Sequence, residues 1–139
     1  MRFYRPTYSK LISYSALLAA LCMLLSFSCF AQTPDPHSIP SVDGGAGPCS
    51  VQFTVHDESG AAVYAAKVRV HFSYGFLGAH KMDLEVATNV DGKARFNGLP
   101  ARAKIPLLFV ATQNGKEADY NYDPGANCKA EQTLVLKKP

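Results

Sequence analysis

The chain has no tryptophan. That counts against a dedicated sugar-binding platform, which presents a broad aromatic face to a sugar ring. No Gly-x-Ser-x-Gly element occurs, so the strained strand-to-helix turn that lifts a serine nucleophile is missing. After residue 31 there is no convincing helical period and no stripe of one charge. The first absence points away from mixed α/β architectures. The second removes the electrostatic footprint of a nucleic-acid binder. Cysteine is scarce, with four in 139 residues.

What is present begins with a targeting segment. Arg2, Arg5 and Lys10 precede an apolar run from Leu11 to Phe30, and Ser26 to Ala31 offers small residues for a cut after Ala31. Charge, apolar stretch and small-residue site in that order predict a secretory signal peptide over residues 1–31. Its removal leaves eleven basic and eleven acidic residues, so the formal charge of +3 belongs to the leader and the exported chain is neutral. Cys22 and Cys29 leave with it, and Cys49 and Cys128 remain as a single pair in an oxidising compartment. No further Cys or suitably spaced His completes a metal set with them. The expected location is periplasmic or secreted, with no membrane attachment after cleavage.

Residues 32–48 hold Pro34, Pro36, Pro40, Pro48 and three glycines with few large apolar side chains. This composition predicts a flexible linker. From Cys49 the pattern has period two: Val51, Phe53 and Val55, then Val68, Val70 and Phe72, then Met82, Leu84 and Val86. Ala94 and Phe96 follow an Asp91-Gly92 turn that reads as a hairpin signal. Ile105 to Ala111 is continuously apolar and reads as a central strand buried on both faces. Asn114-Gly115 is a second hairpin signal, followed by alternating Ala118, Tyr120 and Tyr122, and a last strand over Thr133 to Leu136. About seven short strands with frequent turns predict an all-β sandwich over 49–139.

Thr88, Gly92, Phe96 and Leu99-Pro100 match the order Thr-x-x-x-Gly-x-Phe-x-Phe-x-x-Leu-Pro, with Ala94 at the first Phe. The stretch resembles the signature of carboxypeptidase regulatory-like domains, and Val51 to Val55, Gly60, Val63, Ala66 and Val68 to Val70 fit the same pattern. The resemblance implies a Greek-key β-sandwich of transthyretin-like (prealbumin-like) topology. It also implies an accessory domain, not a peptidase. After Pro100 the chain departs from the family, with Ala103 and Ile105 where Gly and Tyr are usual. In that topology the first and last strands are parallel neighbours. Cys49 and Cys128, each just before one of them, would then lie at the same end and form a disulfide.

Relatives of the fold supply further comparisons. Ring-cleaving dioxygenases bind iron through two Tyr and two His. Tyr120, Tyr122, His56 and His71 supply those types without the family's His-x-His pair, and surface histidines are the plainer reading. The remaining histidines, His37 and His80, fall in the linker and in a loop. Sandwich hydrolases of urate derivatives end in Tyr-Arg-Gly-Ser, whereas this chain ends Leu136-Lys137-Lys138-Pro139. Collagen-adhesin repeats form an isopeptide bond from a first-strand lysine, and Val51 to Asp57 has none. Asp119, Asn121 and Asp123 alternate like calcium ligands, but Pro124 and the lack of flanking helices set them apart from an EF-hand, and an alternating strand ending in a turn is the simpler account.

Ser73 to Lys81 is the loop of most interest, because Tyr74, Phe76, Leu77 and His80 gather there. Loops on rigid scaffolds carry binding residues. The same apolar groups could instead fold back and cap the sandwich. The expectation is a non-catalytic exported binding module for carbohydrate or a cell-envelope protein, with no cofactor and no nucleic-acid partner. The alternatives are a small metal-dependent sandwich enzyme of dioxygenase type and a purely structural accessory domain. Fold alone does not choose among them.

Overall fold

The computed structural model describes residues 33–139, so the segment read as a signal peptide lies outside the described residues. Eight strands occur among the described residues: β1 (Ser41–Asp43), β2 (Cys49–His56), β3 (Lys67–Tyr74), β4 (His80–Ala87), β5 (Lys93–Leu99), β6 (Leu107–Gln113), β7 (Lys116–Tyr122) and β8 (Lys129–Val135). They form two four-stranded sheets, ordered β1-β5-β2-β8 and β4-β3-β6-β7. The architecture is the all-β sandwich that the alternation requires.

The core lies between the sheets and follows the period-two pattern. β2 buries Val51, Phe53 and Val55, β3 buries Val68, Val70 and Phe72, and β6 buries Leu107, Phe109 and Ala111. Phe109 joins the sheets, with ring centroids 4.8 Å from Phe53 and 5.0 Å from Phe96. Aromatic pairs in this range add about 0.5–1.5 kcal/mol beyond the area they bury. β2 and β8 run parallel, from Ser50 opposite Lys129 to His56 opposite Val135. That pairing brings Cys49 and Cys128 to one end of the sandwich, where they form a disulfide.

The turn signals had different outcomes. Asn114 and Gly115 both take positive φ, 51° and 73°, and close the β6–β7 hairpin as a turn of type I′. Asp91-Gly92 does not close a hairpin, because β4 and β5 belong to different sheets. The turn instead carries the chain across the sandwich. Thr88 Oγ1 donates to the Val63 carbonyl at 2.6 Å and accepts from the Ala66 amide at 2.9 Å. Gly92 presses so closely on the Val55 carbonyl that a Cβ there would collide with it. The Thr and Gly of the signature therefore hold the crossing in place.

The stretch read as a linker departs from expectation over its second half. Ser41–Asp43 pairs in parallel with β5 and extends that sheet. Further tethering comes from Ala46, whose amide donates to the Gly98 carbonyl at 2.7 Å, and from Gly44, whose amide donates to the Asn97 carbonyl at 3.0 Å. Composition missed this because the segment contributes backbone hydrogen bonds and glycine contacts, and little apolar area. The Ile105 to Ala111 run is also corrected. The strand starts at Leu107 and alternates, leaving Leu108 exposed and Val110 half-buried on the outer face.

Candidate functional site

The β3–β4 connection is built on Tyr74 and His80, which stand opposite each other at the end of the ladder. Their rings stack with centroids 5.3 Å apart. Gly75 sits at φ 82° against that pair, where a Cβ would come 2.9 Å from the His80 ring. The chain then makes a short 3-10 turn over Phe76–Gly78. Phe76 is 86% exposed and Leu77 is 78% exposed, so these two side chains do not cap the core. Leu77 also adopts φ 55°, ψ 21°. That left-handed conformation costs a residue bearing a Cβ about 1–2 kcal/mol. No burial of the Leu77 side chain offsets the cost.

Across from this turn runs the segment 101–106, which leads into β6. Ile105 is 75% exposed. Arg102 and Lys104 are exposed beside it and, among the described residues, take part in no ion pair. A cavity of about 530 Å3 lies between the two segments, lined on one side by His71 to Gly75 and Leu77 and on the other by Arg102 to Leu107. Its size is that of a small-ligand or peptide-side-chain site. The sequence reading found one wall of this site and missed the other, because it placed Ile105 inside a buried strand. Pro106 was the available signal, since proline has no amide to donate to a central ladder.

Of the other candidates, only His71 borders this cavity. His71 contacts Asp83 across the β3–β4 ladder at 2.6 Å on the outer face of that sheet, beside Arg69 and Glu85 at 3.8 Å. Such exposed pairs contribute little to stability. His56 projects from the outer side of β2 in the other sheet, opposite in phase to buried Phe53 and Val55. Tyr122 is buried in the core. Tyr120 shares that inner side of β7 and packs edge-on to Phe53, with centroids 6.0 Å apart. The two tyrosines face inward and the two histidines outward from different sheets, so the four form no common ligand set. Asp119 and Asn121 lie on the outer side of β7, while Asp123 accepts the Gly125 amide at 2.9 Å in the following turn. No group of three or more His, Cys, Asp or Glu side chains converges as a metal site among the described residues. No helix among them is long and apolar enough to cross a membrane.

His37, assigned to the linker, reaches the crossing turn. Its Nδ1 lies 3.0 Å from Asp91 Oδ2. The Asp91 carboxylate, by hydrogen bond and by charge, raises the His37 pKa above the ordinary histidine value. Asn89 supports the contact by donating from Nδ2 to the carbonyls of His37 and Ser38 at 3.0 and 3.2 Å.

No protein-family model matches the chain, and no curated protein is similar to it in sequence. Similar solved structures include catechol 1,2-dioxygenase from Acinetobacter sp., 11% identical, covering 91% of this chain and 69% of that one, TM-score 0.45. They also include 3-chlorocatechol 1,2-dioxygenase from Rhodococcus opacus, 11% identical, covering 96% and 90%, TM-score 0.46. The shaft pilin SpaA of Lactobacillus rhamnosus is 16% identical over 67% of this chain and 49% of that one, TM-score 0.39. Likenesses this distant carry no argument about function.

Proposed function

We propose that this β-sandwich is a non-catalytic, exported interaction module of the carboxypeptidase regulatory-like kind. It holds a carbohydrate or a cell-envelope protein at the end of the sandwich formed by the 73–81 loop and the 101–106 segment. The observation that carries the reading is the exposure of Leu77 and Ile105 on opposite walls of one cavity, with exposed Phe76 next to Leu77 in the turn. Single exposed apolar residues are ordinary, but a cluster of large ones at a cavity mouth is a contact surface. Strain at Leu77 without compensating burial supports the same end. The disulfide suits an oxidising compartment.

Site-specific photo-crosslinking from positions 76, 77 and 105 in the native host, with a polysaccharide pull-down in parallel, tests the reading. A specific adduct or glycan complex is expected, and its loss in the Phe76→Ser/Leu77→Ser variant. Both substitutions are at exposed positions and should leave folding within about 0.5 kcal/mol of the parent. No adduct and no bound glycan would overturn the interaction role. Elemental analysis of the purified protein addresses the enzymatic alternative, and stoichiometric iron lost on His71→Ala would replace the present reading with that one.

A further inference from the structure

β3 and β6 pair over only part of their length. Their register runs from Lys67 opposite Thr112 to Val70 opposite Phe109 and stops there. Continued by the same register, His71 would face Leu108, Phe72 would face Leu107, and Ser73 would face Pro106. None of these pairs forms, while β3 stays paired with β4 as far as Tyr74 opposite His80. The sheet therefore forks beyond Val70 and Phe109, and Pro106 lies three residues further along the parted strand. In an antiparallel strand alternate residues turn both backbone groups to the same neighbour. The Ala66 carbonyl accepts the Thr88 amide in the same register, so the even-numbered residues of β3 bond to β4, and His71 and Ser73, which line the cavity, turn their backbone groups away from it. None of residues 71–74 has a paired residue in β6, and among the described residues no turn, loop or side-chain hydrogen bond ends on their backbone groups.

We infer that this fork is a strand-addition site for an extended segment of a partner polypeptide, apolar at alternate positions and carrying a carboxylate at the end that lies over Arg102 and Lys104. The inference rests on the interaction-module reading and deepens it by naming the partner's chemistry. Unpaired strand edges are templates for a further strand. Backbone pairing would supply the contact with residues 71–74. Alternate apolar side chains would meet Leu77 and Ile105. Arg102 and Lys104, free of acidic neighbours in any ion pair, supply the complementary charge. A carboxylate is the group their two cations suit at the mouth of the cleft.

The test uses the purified 15N-labelled protein and three synthetic hexapeptides. The first is acetyl-Val-Thr-Val-Thr-Val-Asp with a free carboxyl terminus. The second ends in Asn-amide, and the third is the first with alternate backbone nitrogens methylated. The first peptide should shift the amide resonances of residues 71–74 and 102–105. The amidated peptide should bind about tenfold more weakly, and the methylated one at least tenfold more weakly. In the Arg102→Gln/Lys104→Gln variant the acid and amide peptides should bind alike. Equal binding of the methylated peptide, shifts mapping outside the fork, or no binding by any peptide at millimolar concentration would overturn the inference. Those results leave the crosslinking outcome at Phe76 and Leu77 to judge the interaction role separately.

Discussion

The Tyr122 phenol donates to the Cys128 carbonyl at 3.0 Å, and the same carbonyl accepts the Ser50 amide at 2.8 Å. A buried side chain of β7 thus ties one sheet to the disulfide end of the other. Burial pushes the Tyr122 pKa above the ordinary tyrosine value, which favours the protonated donor. Tyr122→Phe keeps the ring and removes the donor. The expected loss is about 1 kcal/mol in denaturant unfolding, a few degrees in Tm, with the fold unchanged.

Cys49 and Cys128 are 79 residues apart in sequence, so their bond closes most of the domain into one loop. Chain-entropy reasoning gives on the order of 4 kcal/mol for a loop of this length. Cys49→Ser or Cys128→Ser should lower Tm by more than about 10 °C. Intact mass before and after reduction should differ by about two hydrogen masses. Two thiols alkylated in the native, unreduced protein would show that the bond does not form.

Gly98 has φ 65° and packs on the segment that precedes β2. A Cβ at this position would strike Asp43 Oδ1 and come 2.5 Å from the Gly45 amide nitrogen. Gly98→Ala should cost about 3 kcal/mol from combined backbone strain and collision. Faster hydrogen exchange of the Gly44 and Ala46 amides should accompany it. Gly60, at φ 86° with nothing near its missing Cβ, is the control. Gly60→Ala should cost only the backbone term, about 1–2 kcal/mol.

The His37–Asp91 contact has a defined pH sense. Its histidine pKa is raised by folding, so the contact's contribution is fully present below the ordinary histidine value. It is lost as pH rises through the raised value. An NMR titration should place the His37 pKa above that of an unperturbed histidine, and Asp91→Asn should return it. As His37 deprotonates, the Arg95 amide, which donates to Pro40 at 2.9 Å, should lose exchange protection after correction for intrinsic rate. The Asp91→Asn protein should show no such pH-dependent change in protection.

Leu77 combines left-handed backbone with an exposed side chain. Glycine adopts that backbone without a Cβ penalty. Leu77→Gly should therefore leave stability unchanged or raise it by up to about 1 kcal/mol. Crosslinking at position 76 should nevertheless weaken. A variant that unfolds more easily would place Leu77 in the packing after all.

The sequence by itself determined the sandwich and its core. Period-two alternation decides which side of each strand faces inward, and Phe53, Phe96 and Phe109 meet where that phase places them. It also determined the cysteine pair and the Asn114-Gly115 hairpin, because a two-residue turn with two positive φ angles is a local property. The tertiary structure decided which strands are neighbours. Asp91-Gly92 has hairpin chemistry, yet β4 and β5 part into separate sheets because buried Thr88 is tied to Val63 and Ala66, contacts more than twenty residues distant. It decided that Ser41–Asp43 extends a sheet, through backbone bonds that composition does not register. The second wall of the candidate site was hidden for a related reason. Ile105 reads as core by type, and only the parting of β3 and β6 beyond Val70 and Phe109 leaves it exposed across the cavity from Leu77.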